Sequence, residues 1–202
     1  AGNWCSWMFG RDLVNWNTNF TWAKWVTPSR DLINAFKKEG DEVRFRESVV
    51  YYDCSWSNYY PSDNYPFMYK CRSANSSIIK YRYADVLLLK AEALIMQDTP
   101  DLEAAAGIID EIRERAGLGK LPSSIRENKN SMIDALLKER RLELAFEGQR
   151  WFDLVRLDKV EEVMNAVYAK DSGRKAQVYA FDKNSYRLPI TQTVIDAIDK
   201  IQ

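Results

Sequence analysis

The 202-residue sequence contains no histidine, which excludes a large group of catalytic and metal-binding arrangements. Ser-His-Asp triads, Cys-His nucleophile pairs and histidine-based metal sites all require an imidazole. No phosphate-binding loop is expected either, because "GLGK" follows a helix and lacks the strand–loop–helix context. We therefore expect no metal and no cofactor.

Cysteine is scarce, with only Cys5, Cys54 and Cys71 present. Their spacing matches no zinc-binding motif. Two states remain open for these residues. A Cys54–Cys71 disulfide would fit an oxidising compartment, and free buried thiols would fit a reducing one.

Excess charge and long apolar runs are also missing. Lys plus Arg and Asp plus Glu both number 29, so the chain has no general attraction for nucleic acid, and we expect no nucleic-acid partner. No apolar run approaches the roughly 20 residues that span a bilayer. The opening "AGNWCSWMFG" has no basic or apolar signal region, so we expect a longer protein whose targeting signal lies outside this chain.

Aromatic residues are abundant and concentrated early in the chain. Residues 1–26 hold five of the seven tryptophans, and residues 53–77 are rich in tyrosine and turn-forming residues. Long connections of this kind are usually functional or mobile. We expect a single domain over 1–202, with an aromatic, loop-rich part at 1–78 and a helical part at 79–202.

The first part contains one clear helix and one candidate strand. "TPSRDLINAFKKEG" predicts a helix with Thr27 as its cap, Pro28 at its first position and Gly40 at its end. The alternating "RFRESVVYY" at 44–52 predicts a strand, with Val49 and Tyr51 on one side.

The second part predicts a mainly α fold. Helices over 81–97 and 101–117, with Asp98 or Thr99 as the second cap, form a tetratricopeptide-like αα-hairpin that must stack on another element. A third helix is predicted over 130–148 with Asn130 or Ser131 as its cap, followed by one or two shorter helices. The end of the chain predicts an extended hairpin over 178–190 and a last short helix over 191–201.

The densest charge cluster lies near the end of the third helix, where Glu139, Glu143 and Glu147 form a row at i, i+4 and i+8. Paired carboxylates could serve a glycosidase. Interleaved arginines favour salt bridges instead, since they lower carboxylate pKa values, the wrong direction for a general acid. We expect Arg140 and Arg150 to tie the helix to neighbouring carbonyls or carboxylates, with Trp151 and Phe152 as core anchors.

The aromatic loops are the better candidates for a binding site. Tryptophan and tyrosine offer a flat, rigid surface to the apolar face of a pyranose, and neighbouring amides can bond its hydroxyls. Two clusters have this composition, one around Trp16 and one around Trp56. The candidate ligand-binding residues are Trp16, Asn17, Trp22, Trp56, Asn58, Tyr59 and Tyr60.

Three segments in order resemble the SusD/RagB family. They are "PSRDLINAFKKEGDEVRFRESV" at 28–49, "IKYRYADVLLLKAEAL" at 79–94 and "LLKERRLELAFEGQRWFDLVRL" at 136–157. The third resembles the Glu-Arg-Arg, Glu-Gly-x-Arg and Trp-Phe-Asp-Leu run of the family, and "YRLPI" at 186–190 resembles its closing segment. The resemblance implies a partial SusD-like fold, without the helical amino-terminal half, the lipobox cysteine and much of a carboxy-terminal tail.

The same resemblance implies a function. SusD-like proteins are lipoproteins at the outer membrane of Bacteroidetes, anchored here by a segment outside this chain. They bind a polysaccharide or oligosaccharide at the cell surface without cleaving it and deliver it to a TonB-dependent SusC-like transporter. We therefore expect a glycan-binding protein and no enzyme. The alternative is a tetratricopeptide-type adaptor that binds a peptide or protein.

Overall fold

A computed structural model describes residues 27–53, 60–61, 63–70, 79–170, 180–182, 186, 191–193 and 196. Within these residues the protein is mainly helical, as predicted, with eight helices and two strands. The chain divides into two compact units, Ala1–Asp153 and Leu154–Gln202. The expectation of a single domain over 1–202 stays a prediction. The elements are α1 (Arg30–Glu39), α2 (Glu42–Ser48), β1 (Val49–Tyr52), β2 (Tyr65–Met68), α3 (Tyr83–Met96), α4 (Leu102–Arg115), α5 (Ser123–Arg126), α6 (Lys129–Glu143), α7 (Arg150–Arg156) and α8 (Val160–Lys170).

The predicted αα-hairpin is formed by α3 and α4, and it stacks on α6. The short link between the two helices turns the chain back, so their apolar faces meet. Alanines allow a close approach where they meet, since Ala91, Ala105 and Ala106 are all fully buried. Met132 and Leu136 of α6 complete this apolar core. Each fully buried large side chain contributes about 1.5–3 kcal/mol to the free energy of unfolding.

The predicted helix caps were placed a few residues from the observed ones. Ser29, not Thr27, caps α1, because its hydroxyl accepts a hydrogen bond from the Leu32 amide at 3.1 Å. Asp101 likewise caps α4, and Asn128 caps α6. In each case the capping oxygen accepts from the amide three residues ahead, so the cap sits just before the first helical residue. The predicted end of α1 at Gly40 is confirmed, and this glycine has a φ of 71°.

The strand predicted over 44–52 is wrong for its first half, which forms the helix α2. Asp41 caps this helix by accepting from the Arg44 amide at 3.1 Å. Arg44 and Ser48 are both buried and lie four residues apart, which is a helical spacing. Only residues from Val49 onwards form the strand β1, which pairs antiparallel with β2 in the register Val49↔Met68 to Tyr52↔Tyr65.

The carboxy-terminal part gives a mixed outcome. Two shorter helices, α7 and α8, follow Gly148 as predicted. Phe152 is not a core anchor, since it is 64% exposed, and Trp151 is only partly buried. In the second unit, the Asn165 side chain bonds both the amide and the carbonyl of Phe181. The hairpin predicted over 178–190 and the last helix over 191–201 lie mostly outside the described residues.

Candidate functional site

The predicted ligand-binding residues fall mainly outside the part of the chain that the structure describes. Trp16, Asn17 and Trp22 belong to the segment 1–26, and Trp56, Asn58 and Tyr59 to the segment 54–59, neither of which is described. The three cysteines lie outside it as well. Their roles stay predictions.

Tyr60 is the one predicted ligand-binding residue that is described. Its ring is buried beside Ile33, Tyr65 and Phe67, and its hydroxyl donates to the Pro28 carbonyl at 2.7 Å. The Arg30 guanidinium lies 4.5 Å from its ring centre, a cation–π contact. Tyr60 is therefore a core residue in the structure, and direct contact of this ring with a ligand stays a prediction.

The best-defined polar cluster surrounds the carboxy-terminal half of α6. The Glu143 carboxylate accepts from Arg82 at 2.6 Å and from Arg115 at 2.5 Å through Oε1, and from Arg44 at 3.1 Å through Oε2. Arg44 also contacts Asp41 at 2.5 Å and Glu139 at 2.6 Å. Charge-assisted hydrogen bonds of this kind are short and specific. They tie α2, α3, α4 and α6 together at one end of the helical core.

The predicted third helix ends earlier than expected, at Glu143, so Glu147 is not part of its helical row. The Glu143 carbonyl accepts from Lys70 Nζ at 2.9 Å and from Arg82 Nη2 at 2.6 Å. The Glu147 amide turns back to the Leu144 carbonyl instead of extending the helix. Two cations at a helix carboxy terminus also complement its dipole. Glu147 nevertheless joins the cluster, through Lys70 at 2.7 Å and Arg82 at 2.8 Å.

Glu139 and Glu143 have pKa values that move in opposite directions. Burial opposes the ionisation of Glu143, but Arg115 and Arg82 outweigh it and lower the pKa of Glu143 to about 2. Burial raises the pKa of Glu139 above its ordinary value, and Arg44 and Arg113 offset this only in part. The arginines therefore lower the pKa of both glutamates, as expected, but at Glu139 the cost of desolvation is larger and the net pKa is raised.

A second buried ion cluster surrounds Arg140 of α6. Arg140, only 1% exposed, contacts Asp85 at 2.8 Å and Asp153 at 2.9 Å through the same nitrogen. The Asp85 contact is an ion pair without hydrogen-bond geometry. Arg150 donates to the Leu137 carbonyl at 2.9 Å. Both arginines tie α6 to neighbouring groups, as predicted.

A cavity of about 210 Å³ opens beside the first cluster. This is smaller than the ~300–1,000 Å³ of pockets for drug-sized ligands, so it suits one sugar unit or one substituent. Arginines, a lysine and glutamates dominate its lining. The lining residues are Arg44, Glu47, Ser48, Lys70, Ile79, Arg82, Arg115, Glu143 and Glu147.

The chemistry available in these clusters is ionic bonding. Glu143 and Glu147 use both carboxylate oxygens in bonds to cations, and a pKa near 2 keeps Glu143 ionised at neutral pH. A general acid needs a raised pKa and access to its substrate. Glu139 has the raised pKa, but it is 1% exposed and bonded to Arg44 and Arg113. Among the described residues, no group of three or more acidic or cysteine side chains is placed to hold a metal ion.

Comparison with known proteins identifies the family. The model of the SusD family matches residues 62–202, which is most of the chain. SusD-like protein P38 from Formosa agariphila is 44% identical over 99 residues, covering 46% of this chain and 19% of that protein. SusD-like protein P2 from the same organism is 38% identical over 97 residues, with the same coverage. The chain belongs to the SusD family.

A solved structure supports the fold. A SusD superfamily protein from Bacteroides vulgatus superposes with a TM-score of 0.60 at 25% identity, covering 84% of this chain and 42% of that one. This chain therefore spans about a fifth of its curated relatives and less than half of the solved structure. Within the described residues, no helix is both long and apolar enough to cross a membrane.

The motif residues that carry the family resemblance bond to one another. Arg82 of the Arg-Tyr-Ala-Asp segment bonds Glu143 and Glu147, while Asp85 of the same segment pairs with Arg140. Asp153 of the Trp-Phe-Asp-Leu run contacts Arg140 as well. These motifs therefore hold the scaffold together.

Several partners in the network were missed by reasoning from the sequence. They are Asp41, Arg44, Lys70, Arg82, Arg113 and Arg115, which contact the α6 glutamates or their neighbours. Most lie 26–99 residues along the chain from the glutamate that they contact, so no local spacing reveals the contact. The buried glutamates themselves were the available signal, since a buried carboxylate requires partners.

Proposed function

We propose that this protein binds a glycan without cleaving it, at the bacterial outer membrane, and delivers it to a TonB-dependent SusC-like transporter. Membership of the SusD family is the observation that carries the proposal. The chain spans only part of its relatives, so the site, the ligand and the transporter are all proposed for the longer protein.

The binding surface we propose lies in the aromatic loops. Trp16 and Trp22 with Asn17, and Trp56 with Asn58 and Tyr59, combine flat rings with hydrogen-bonding amides. Stacking on a sugar ring buries apolar area at low entropy cost, because aromatic side chains have few rotatable bonds. Tyr60, the next residue in the chain after Tyr59, is buried in the core.

The ion clusters support binding in preference to hydrolysis. Inverting and retaining glycosidases both need one carboxyl group that donates a proton and one that is free to act as base or nucleophile. The carboxylate oxygens of Glu139, Glu143 and Glu147 instead form ion pairs with arginines and a lysine. We assign these carboxylates to the scaffold.

An alternative function is that of a tetratricopeptide-type adaptor for a peptide or protein. One observation favours it. The outward face of α3 carries exposed apolar side chains at helical spacing, namely Tyr83, Val86, Leu89 and Met96. Exposed apolar patches often mark protein contacts. A peptide ligand would be sensitive to changes on this face and indifferent to the tryptophans of the loops.

Affinity electrophoresis against a panel of polysaccharides tests the proposal. We expect at least one polysaccharide to retard the protein and to shift its tryptophan fluorescence. Trp16→Ala and Trp56→Ala should each weaken binding about tenfold, taking as a guide the roughly 1–3 kcal/mol that stacking of a nucleic-acid base on one aromatic ring contributes. Their melting temperatures should stay within a few degrees of the wild-type value.

The matched control is Phe152→Ala, which removes an exposed aromatic ring outside the proposed loops. It should leave polysaccharide retardation unchanged. If no polysaccharide is bound, or if Phe152→Ala weakens binding as much as the loop variants, the proposed function is wrong. Loss of peptide binding in a Val86→Asp variant would support the adaptor alternative instead.

A further inference from the structure

The cavity beside Glu143 is lined by charges of both signs, and the third carboxylate of its lining, Glu47, is 53% exposed. Its lining contains four cations, Arg44, Lys70, Arg82 and Arg115, and three carboxylates, Glu47, Glu143 and Glu147. A ligand in this cavity can form hydrogen bonds only with lining atoms that are not already fully hydrogen-bonded within the protein. Whether the remaining atoms are donors or acceptors therefore decides which class of ligand can bind.

The two deeper carboxylates are already satisfied. Glu143 receives bonds from three arginines, and Glu147 is bonded by Lys70 and Arg82, one on each oxygen. Arg82 in turn uses all three of its nitrogens on these two residues. Glu143 and Glu147 therefore have few acceptor lone pairs left for a hydrogen-bond donor on a ligand.

Donor capacity remains at Arg115 and Arg44. Arg115 bonds Glu143 through Nη2, and its side chain, which lines the cavity, is 58% exposed. Arg44 is nine-tenths buried, and its Nη2 has no hydrogen-bond partner within the described residues. A buried unsatisfied donor costs about 1–3 kcal/mol, more when charged, which favours any ligand or water that supplies an acceptor.

The net charge of the ion-pair network connected to this cavity also favours an anionic ligand. Its acids are Glu39, Asp41, Glu139, Glu143 and Glu147, and its bases are Arg44, Lys70, Arg82, Arg113, Arg115 and Lys138. The bases exceed the acids by one, and Arg115 is the most exposed of them. Arg115 in this lining carries a guanidinium fork, a group that matches the geometry of a carboxylate or sulfate.

We propose that this cavity is a subsite for an anionic substituent of the glycan, with Arg115 as its principal contact, so that the protein prefers acidic over neutral polysaccharides. The inference rests on the proposed glycan-binding function. Carboxylated and sulfated sugars share the chemistry that fits, and the small volume suits a single charged unit.

The test compares polysaccharides that share one backbone. Affinity electrophoresis would use dextran, carboxymethyl-dextran and dextran sulfate, with polygalacturonate and carrageenan as natural acidic polymers. We expect at least one acidic polymer to retard the protein more strongly than neutral dextran. Comparison of carboxymethyl-dextran with dextran sulfate shows whether the cavity prefers a carboxylate or a sulfate group.

Arg115→Gln is expected to weaken binding of the acidic polymer about tenfold, the loss expected for one charge-assisted hydrogen bond. Arg46→Gln is the matched control, because it removes an equal charge from a side chain that is 76% exposed and outside the cavity lining. It should leave the affinity within about twofold. Arg115→Lys, which keeps the charge and loses the fork, should fall between the two.

Three results would overturn the inference: equal affinity for neutral and acidic polymers, no retardation by any acidic polymer, or equal losses in Arg115→Gln and Arg46→Gln. The outcome is separable from that of the proposed function. Neutral polysaccharide binding that depends on Trp16 and Trp56 would keep the proposed function while the acidic subsite fails. If no polysaccharide of either kind is bound, both fail. A melting curve of each variant identifies any loss that arises from unfolding.

Discussion

Both halves of α6 contain fully buried side chains, but these side chains are stabilised by different forces. In the first half, Met132 and Leu136 pack into the apolar core of the αα-hairpin. In the second half, Glu139, Arg140 and Glu143 are each at most 3% exposed and are surrounded by opposite charges. Burial alone therefore says little about the role of a residue. Apolar packing tolerates changes that preserve volume, whereas each buried charge depends on specific partners.

Methionine substitutions in the two halves of α6 should show this difference in stabilisation most clearly. Arg140→Met leaves Asp85 and Asp153 without their shared cation, so we expect a loss of about 3–5 kcal/mol in the free energy of unfolding. Leu136→Met preserves volume and should cost less than about 1.5 kcal/mol. Urea denaturation followed by circular dichroism measures both.

Arg141→Met provides the control for a neighbouring arginine. Arg141 pairs with Asp31 at 2.5 Å, but its side chain is 24% exposed, so its loss should cost at most about 1 kcal/mol. If Arg140→Met were no more damaging than Arg141→Met, the contrast between the two halves of α6 would not hold.

Acid sensitivity should distinguish the two buried glutamates. The pKa of Glu143 is lowered from 4.5 to about 2 in the folded state. The ionised carboxylate therefore contributes fully to the free energy of unfolding above pH 4.5, and this contribution is lost as the pH falls towards 2. The shift corresponds to about 3 kcal/mol. In Glu143→Gln, the free energy of unfolding should therefore fall less steeply between pH 4.5 and 2 than in the wild type.

Glu139 should show the opposite sign. Its folded pKa is raised, so its contribution to stability is complete below pH 4.5 and declines as the pH rises through the folded pKa. Glu139→Gln should remove this decline. Chemical denaturation at a series of pH values measures both variants, and identical profiles for Glu139→Gln and Glu143→Gln would contradict the assignment.

The elements with local signals could be predicted from the sequence. The periodic apolar residues of α3, α4 and α6 predict the helical core, and Gly40 marks the end of α1 because only a residue tolerant of positive φ fits there. The row of glutamates and arginines predicts ion pairing, and the family motifs predict the fold.

The remaining features depend on contacts between distant segments. The end of α6 at Glu143 is set by Lys70 and Arg82, which are 73 and 61 residues away. Helix α2 was mistaken for a strand because its alternating pattern hides the spacing of Arg44 and Ser48, which is explained only by the burial of Arg44 beside Glu139. Phe152 looks like a core residue in the sequence, but nothing in the described residues covers its ring.

The assignment of the carboxylates to the scaffold can be tested most directly by measuring hydrolysis. Purified protein would be incubated with each polysaccharide that retards it, and new reducing ends would be counted over time. We predict that no reducing ends are released by the wild type or by Glu139→Gln. Steady release of reducing ends that Glu139→Gln abolishes, with its melting temperature unchanged, would contradict the assignment and indicate a glycosidase.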